Sequence, residues 1–360
     1  MVAPTDQRVI VDDIENGRPE GFPLPLLKIR ENNMDIKRLN SGNDPVYQLF
    51  CEYAEGEQLY KRLDRQAFEN KFFTPENGYE KVFLCAENGD AAAGFAAGLI
   101  CLDGNVSYVT AILVAAEYRR MGLGTALMNA LEAAMKTPDT EKYEFSFYNP
   151  QSLPWIVPGT PHHDHPGYPG VDMINEGYVF MKNMGYHDYA YQNSYYHKLE
   201  NYVMPADIAE IEENAAKQGY AVTYYDKNRH YGAEECMDAI GSAGWKKTVL
   251  NNISTEGAPP LLIAEHIEAD NGMARMVGFT GPVYVQESGR GYLAGIAVHP
   301  DHRGHGLGKL LFCKLCGALK DEGAQFMTLF TGENNKARRI YEAAGMKIVR
   351  CFSCMRKEIK

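Results

Sequence analysis

The chain contains the segment Arg303-Gly304-His305-Gly306-Leu307-Gly308, and the pattern of this segment occurs a second time in the same chain. Arg119-Arg120-Met121-Gly122-Leu123-Gly124 repeats the pattern R-x-x-G-x-G 184 residues earlier. Each copy follows a strand-like run that ends in valine, and each opens a helix with apolar residues on one face. Glycines let the main chain approach a phosphate, and the free N–H groups of a first helical turn point at it. The repeat therefore predicts an internal duplication with an anion site in each half.

The composition limits the class of protein. The chain has 360 residues, of which 45% are hydrophobic and 23% charged, and this length suits two domains better than one. No apolar run reaches the length of a membrane span and the N-terminus lacks the features of a secretory signal, so we expect a cytoplasmic protein without a membrane partner. The net charge of −11 argues against nucleic acid as the main partner. The eight cysteines are expected to be reduced thiols.

The two halves follow the same predicted order of elements. In the first half we predict a strand at 34–39, helices within 45–71, a hairpin around Asn88-Gly89, a helix at 122–136 and a strand at 143–148. In the second half we predict a helix at 205–217, strands at 261–266, 274–286 and 291–298, a helix at 306–321 and a strand at 326–330. The domains predicted are an N-terminal extension (1–33), a first domain (34–200) and a second domain (201–360).

The halves then differ in length. Gly308 and Gly345 are 37 residues apart, whereas Gly124 and Gly185 are 61 apart, so the first half has 24 additional residues. They fall in a loop at 150–172 that is rich in proline, glycine and histidine, and such a long loop indicates a lid, a binding loop or an interface element. The aromatic residues that follow are predicted to pack at the junction of the domains: Tyr178, Phe180, Tyr186, Tyr189, Tyr191, Tyr195 and Tyr196.

The run from Asn334 to Met346, Asn-Asn-Lys-Ala-Arg-Arg-Ile-Tyr-Glu-Ala-Ala-Gly-Met, follows the second glycine turn. It resembles the second signature of the GNAT acetyltransferase superfamily, N-x-x-A-x-x-x-Y-x-x-x-G-(F/M). The chain thus resembles two GNAT domains in tandem, closely over 204–360 and more loosely over 34–198. This resemblance implies an α/β fold made of two GNAT (acyl-CoA N-acyltransferase) domains, each with a mixed, mostly antiparallel sheet flanked by helices.

The resemblance also implies an activity, namely direct transfer of an acetyl group from the co-substrate acetyl-CoA to an amine of a small molecule or peptide. The main chain of Ile296 and Val298 is then expected to pair with pantetheine, with Asn334 as a further contact. The N–H group of Val298 is expected to hold the oxyanion and Tyr341 to assist the departing thiolate. The residues expected around the pyrophosphate are Arg303, Gly304, His305, Gly306, Leu307, Gly308 and Lys309.

The first half departs from the family pattern. Aligning Gly185 with Gly345 places Met181 where Tyr341 stands, and a methionine cannot donate a proton. Arg119, Gly122 and Gly124 are candidate cofactor contacts, and the first turn is either cofactor-binding or vestigial. We therefore expect the catalytic site in the second half, although neither strand before a glycine turn offers a carboxylate as a base.

Other interpretations remain open beside the enzyme. A non-catalytic acyl-CoA-binding or sensing protein would use the same turn. A metal-binding protein would use the loop at 162–165 or the pairs Cys313/Cys316 and Cys351/Cys354, but we expect no metal, because polar loop contacts and buried thiols account better for these residues. The acceptor stays open among small-molecule amines, antibiotics, polyamines, amino acids and peptide N-termini, and so does the oligomeric state.

Overall fold

The computed structural model describes residues 27–29, 34–57, 60–267 and 272–359, and of residues 27–29, 56 and 57 it describes the main chain only. Most of the predicted N-terminal extension, 1–26 and 30–33, therefore lies outside the described residues. Within the described part of the chain, no helix is long and apolar enough to cross a membrane.

The N-terminal half contains a hairpin-rich sheet with helices packed on it. Its elements are β1 (Leu27–Ile29), β2 (Met34–Arg38), α1 (Asp44–Glu57), α2 (Arg65–Phe72), β3 (Tyr79–Asn88), β4 (Ala91–Cys101), β5 (Val106–Val114), α3 (Leu123–Met135), β6 (Lys142–Phe145), β7 (Trp155–Ile156), β8 (Asp164–His165), β9 (Val171–Asp172), α4 (Glu176–Asn183) and β10 (His187–Lys198).

Small residues in β4 let α3 lie close to the sheet. The strand reads Ala-Ala-Ala-Gly-Phe-Ala-Ala-Gly-Leu-Ile-Cys and is buried along most of its length. A Cβ at Gly98 would lie 2.4 Å from Sδ of Met135, and one at Gly94 would lie 3.0 Å from a methyl group of Leu127. Because any larger side chain would push the helix away, these glycines set the distance between α3 and the sheet.

The C-terminal half repeats this architecture with one helix placed ahead of it. Its elements are α5 (Ile208–Ala216), β11 (Tyr220–Tyr224), β12 (His230–Tyr231), α6 (Ala233–Ile240), α7 (Ala243–Ser254), β13 (Leu262–His266), β14 (Ala274–Gly281), β15 (Arg290–Gly291), β16 (Gly295–Val298), α8 (Leu307–Asp321), β17 (Phe326–Gly332), α9 (Arg338–Ala343) and β18 (Lys347–Glu358).

The two halves exchange their last strands. One sheet runs in the order β1-β2-β3-β4-β5-β6-β18-β10-β17-β15, with β9 also paired to β18. Thus β18 from the C-terminal half pairs with β6, and β10 from the N-terminal half pairs with β17. A second sheet, β11-β13-β14-β12 with β16 on β14, belongs to the C-terminal half alone. Each half therefore depends on the other for a strand of its own sheet.

The additional residues of the first half interrupt a strand. The pairs Val106–Lys142 and Arg290–Phe326 are equivalent, so the offset of 184 residues between the halves persists into β6 and β17. On β18, Met355 pairs with Phe145 of β6, and Phe352, three residues earlier, pairs with Asp172 of β9. Phe145 and Asp172 are 27 residues apart in the sequence. The 24 additional residues therefore leave the sheet after β6, and the chain rejoins the same edge of β18 as β9.

The fold predicted from the sequence is confirmed, with several local differences. The helices expected at 122–136 and 306–321 are α3 and α8. The strand expected at 143–148 ends at Phe145 because the insertion begins there, and the one expected at 291–298 is broken between β15 and β16. The strand β11 and the helices α6 and α7 were not predicted from the sequence.

Candidate functional site

The second glycine turn connects β16 to α8. Gly304 and Gly306 have φ angles of +93° and +75°, which favour glycine, and Gly306 immediately precedes the helix. Arg303 donates from Nε to the carbonyl oxygen of Val298 at 3.1 Å, so the turn is tied to the strand before it. The first N–H groups of α8 have no acceptor within the helix, and Gly306 beside them is exposed.

The strand before this turn has an open edge. The N–H group of His299 donates to Val277 of β14 at 2.8 Å. Because alternate residues of a strand point to opposite edges, Ile296 and Val298 present their main-chain groups to the other side. Within the described residues β16 pairs with β14 only, whereas β17 belongs to the other sheet. We call the gap between β16 and β17 the C-terminal wedge.

The helix α5 forms one wall of the turn. A Cβ at Gly306 would lie 2.5 Å from Cγ2 of Ile211, so the helix packs directly on the glycine. Lys309 forms an ion pair with Asp207, the residue before α5. His305 bonds through Nδ1 to the side-chain oxygen of Gln218 at 2.7 Å. Two predicted cofactor residues, Lys309 and His305, thus already have protein partners.

The remaining predicted residues of this half surround the same turn. Leu307 is buried as the first core residue of α8, and a Cβ at Gly308 would lie 3.0 Å from Cδ1 of Ile340, so α9 packs closely here. Asn334 is exposed on the segment between β17 and α9. The structure therefore brings the two sequence signatures together at one end of α8.

Tyr341 lies on α9, and its side chain is 6% exposed. Its ring packs edge-on against Phe312 at 4.8 Å and against Tyr195 at 6.0 Å. Within the described residues its hydroxyl forms no hydrogen bond, and the oxygen is not completely shielded from solvent. Burial, with a smaller contribution from Tyr195, raises the pKa of Tyr341 to about 12. The phenol is therefore protonated near neutral pH and has a proton to donate.

Trp245 supports the root of the wedge and was not singled out by the sequence analysis. Its indole nitrogen donates to the carbonyl oxygen of Ala294 at 3.1 Å, and a Cβ at Gly295 would lie 2.5 Å from that nitrogen. Nearby, the ring of Tyr292 packs against that of Tyr284 with centres 4.6 Å apart and planes tilted by 30°. The sequence held no signal for this contact, because Trp245 lies 50 residues before Gly295 on a separate helix.

The first glycine turn has the same internal geometry. Gly122 has a φ of +83° and precedes α3, and Arg119 donates from Nε to Val114 at 3.1 Å, as Arg303 does to Val298. Arg119 also pairs with Glu176 at 3.0 Å. A Cβ at Gly122 would meet no atom within 4 Å, and one at Gly124 would meet Phe180 at 3.5 Å.

Side chains of the insertion bond to β5 at the gap between β5 and β6, which we call the first wedge. Asn149, at the start of the insertion, donates from Nδ2 to the carbonyl oxygen of Val109 at 3.2 Å and to Oγ1 of Thr110 at 3.0 Å. The hydroxyl of Thr110 donates to Gln151 at 2.8 Å. Met181 is buried at the place equivalent to Tyr341. The root of the first wedge is thus closed by side chains of the insertion.

The insertion lies on the shared sheet and reaches the C-terminal half. His163 stacks on Phe326 with ring centres 4.0 Å apart, and it bonds through Nδ1 to the hydroxyl of Tyr196 at 2.8 Å. A surface depression of about 460 Å³ separates the halves here. Its lining residues are Lys61, Asp164, Pro166, Tyr284, Val285, Gln286, Glu287 and Ser288. The loop is therefore an interface element and one side of this depression.

The histidines of the insertion point to different partners. His165 bonds to the carbonyl oxygen of Gly167 at 2.9 Å, and Asp164 forms an ion pair with Lys61. Burial, followed by the charge of Arg290, lowers the pKa of His165 to about 3. Across the described ranges, no group of three or more His, Cys, Asp or Glu side chains is placed to hold a metal ion.

The cysteine pairs do not form a joint site either. Cys313 and Cys316 are buried in α8, as is Cys354 in β18, which agrees with the interpretation as packed thiols. Cys351 differs, because it is exposed and its sulfur lies 3.1 Å from Oδ1 of Asn193.

The chain matches the family model described as acetyltransferase (GNAT) family over residues 43–153 and 210–346. A curated relative, ribosomal protein bS18-alanine N-acetyltransferase of Haemophilus influenzae, is 44% identical over 57 residues, which are 16% of this chain. This chain spans only 39% of that relative's length.

Solved structures show the same fold at low sequence identity. A glucosamine N-acetyltransferase region of a fungal multi-domain GH3 β-N-acetylglucosaminidase has a TM-score of 0.64 at 14% identity, covering 91% of this chain and 38% of that one. A tandem GNAT protein from the clavulanic acid biosynthesis pathway has a TM-score of 0.55 at 16% identity, covering 90% of this chain and 98% of that one. These two matches extend across both halves.

Proposed function

This chain belongs to the GNAT family of acetyltransferases and is an acyltransferase, and from that premise we propose that its C-terminal half transfers an acetyl group from acetyl-CoA to an amine. One contrast supports this assignment. In the C-terminal half Tyr341 lies on the helix packed at the glycine turn, whereas in the first half Met181 is at the equivalent place and Asn149 bonds the main chain of β5. The N-terminal half then contributes a strand and the insertion to the C-terminal site rather than a second reaction centre.

The residues of the C-terminal turn fit a pyrophosphate. Gly304 and Gly306 leave the main chain uncovered at the N-terminus of α8, where N–H groups and the helix dipole favour an anion. The open edge at Ile296 and Val298 offers main-chain groups to a pantetheine amide, in the manner of an added strand. Arg303 already donates a hydrogen bond to the carbonyl oxygen of Val298. The main-chain group of Val298 that is available to a ligand is therefore its N–H group.

The reaction follows from these positions. Acetyl-CoA supplies the thioester, and the neutral amine forms a C–N bond with its carbonyl carbon while the C–S bond breaks. The N–H group of Val298 stabilises the negative charge that develops on the carbonyl oxygen. The hydroxyl of Tyr341 gives its proton to the departing sulfur, and the amine loses its extra proton to water. Trp245 holds the carbonyl of Ala294 and so fixes the main chain at the wedge root.

The acceptor is an amine of a small molecule or a peptide. The depression between the halves gives it an approach that is lined by residues of both halves, among them Tyr284, whose ring packs against Tyr292. The carboxylate of Glu287 favours a cationic amine there, whereas Asp164 is already paired with Lys61. The curated relative carries a ribosomal protein alanine in its name, which makes peptide N-termini one acceptor class to test.

A paired substitution tests the choice of half. The change Tyr341→Phe keeps the ring but removes the proton donor, so kcat should fall about 10²-fold while the KM for acetyl-CoA stays within about twofold. The matched change Met181→Leu, at the equivalent place in the first half, should leave both constants unchanged. Thiol release is followed across a panel of amines, amino acids and peptides. Unchanged kcat in Tyr341→Phe, or a loss in Met181→Leu, would refute the assignment.

A further inference from the structure

Tyr195 is a residue of the first half that lies in the core of the second. It is fully buried in β10, the exchanged strand, where it is paired with Leu329 of β17 and Ile348 of β18. Its ring meets that of Tyr341 at 6.0 Å and an angle of 62°. The exchange of strands thus places an N-terminal aromatic side chain against the tyrosine of the C-terminal signature.

The hydroxyl of Tyr195 is bonded twice to the helix that carries Tyr341. It donates to Oε1 of Glu342 at 2.8 Å and accepts from Nε of Arg338 at 2.9 Å. Arg338 and Glu342 lie one turn apart on α9 and also approach each other at 3.4 Å. One buried phenol therefore fixes both the start and the end of the helical turn around Tyr341.

The helix α9 needs such support. It has six residues, and the side-chain bond at its N-terminus, from the N–H group of Ala337 to Oδ1 of Asn335 at 3.0 Å, is local to the same segment. A helix this short is unstable alone, so its position depends on tertiary contacts. Tyr341 contacts Tyr195 and Phe312, and the ring of Phe312 gives α9 no hydrogen bond. The two bonds of Tyr195 are thus well suited to set the rotation of α9.

We propose that Tyr195 is a positioning residue for the reaction, which holds α9 so that the hydroxyl of Tyr341 reaches the departing sulfur. This inference depends on the role proposed above for Tyr341. It assigns the N-terminal half a direct part in the chemistry of the C-terminal half. A displacement of about 1 Å at a reacting group can cost on the order of 10²-fold in rate.

A double-mutant cycle tests the proposal. The change Tyr195→Phe keeps the buried ring and removes both hydrogen bonds, and it should lower kcat about tenfold with the KM for acetyl-CoA unchanged. In the Tyr341→Phe background the same change should have no further effect, because the group that it positions is already gone. The readout that a merely structural role would not alter is this loss of the effect in the second background.

The next residue of the strand provides the control. Tyr196 also bears a hydroxyl with one partner, His163, but its partner lies on the insertion and not on α9. Tyr196→Phe should therefore leave kcat unchanged in both backgrounds. Equal losses from Tyr195→Phe with and without Tyr341 would overturn the positioning role alone. No loss from Tyr341→Phe by itself would overturn both this inference and the proposed function.

Discussion

The change Gly306→Ala should damage the C-terminal turn much more than Gly122→Ala damages the first turn. Both glycines precede a helix and have similar φ angles, +75° and +83°. A Cβ at Gly306 would lie 2.5 Å from Cγ2 of Ile211, whereas a Cβ at Gly122 would meet nothing within 4 Å. The two substitutions therefore share the backbone strain and differ in the contact with α5.

The magnitudes follow from this difference. A residue with a Cβ in the left-handed region costs about 1 kcal/mol, and this cost applies to both variants. At Gly306 the methyl group must also move Ile211 by about 1 Å to reach an ordinary carbon–carbon distance, and overpacking of this kind costs about 1 to 3 kcal/mol. We therefore expect unfolding free energies to fall by about 1 kcal/mol for Gly122→Ala and about 2 to 4 kcal/mol for Gly306→Ala.

Two assays read the result. Urea unfolding gives the change in unfolding free energy, and the KM for acetyl-CoA reports on the glycine turn. This KM should rise about tenfold in Gly306→Ala and stay unchanged in Gly122→Ala. A second change, Ile211→Ala, removes the methyl group that obstructs the new Cβ. It should therefore recover part of the lost affinity in the Gly306→Ala background.

Two outcomes would refute this reasoning. Equal stability losses in the two variants would mean that α5 does not pack on Gly306. An increase in the KM for acetyl-CoA in Gly122→Ala, with no increase in Gly306→Ala, would move the cofactor to the first half.

Three further predictions test other parts of the structure. Asn149→Ala should lower the unfolding free energy by about 1 to 3 kcal/mol, because buried acceptors in β5 lose their donor. Acetyl transfer should persist when it is measured under conditions in which the variant is folded. Loss of activity in the folded variant would contradict a non-catalytic first half. Trp245→Phe should lower kcat/KM about tenfold, since the carbonyl of Ala294 loses its indole donor, and unchanged kinetics would show that this bond does not fix the wedge root. The pKa of about 3 for His165 lies below its unfolded value, so the neutral form stabilises the fold, and this stability is lost as pH falls below about 6.5. Urea unfolding at pH 7 and pH 5 should differ by about 2 kcal/mol from this residue, and a His165→Gln variant with the same pH dependence would refute the assignment.

Much of the fold could be predicted from local sequence patterns. The glycine turns, the helices after them and the signature around Tyr341 depend on residues close in sequence, so they could be read without a structure. The 24-residue excess of the first half was also visible from the spacing of Gly124 and Gly185. The pattern could not show that the insertion leaves and rejoins one strand, because that depends on which distant residues of β18 pair with it.

The site was predicted in part for the same reason. Ile296 and Val298 do lie on an open strand edge beside the turn, as the resemblance implied, while their binding roles stay predictions. The partners that occupy Lys309 and His305 could not be foreseen, since α5 and the segment after it lie about 90 to 100 residues earlier in the chain.

The sequence by itself determined the duplication, the two turns and the identity of the half that retains a complete signature, because main-chain conformation and helix periodicity are set by neighbouring residues. Only the tertiary structure decided with which strands β10 and β18, the last strands of the two halves, are paired. The strands β10 and β18 have the same length and similar burial patterns, so nothing local distinguishes pairing within a half from pairing across halves. The exchange places Tyr195 beside Tyr341, residues 146 positions apart in the chain, and such a contact is specified by packing of the whole sheet rather than by any segment of it.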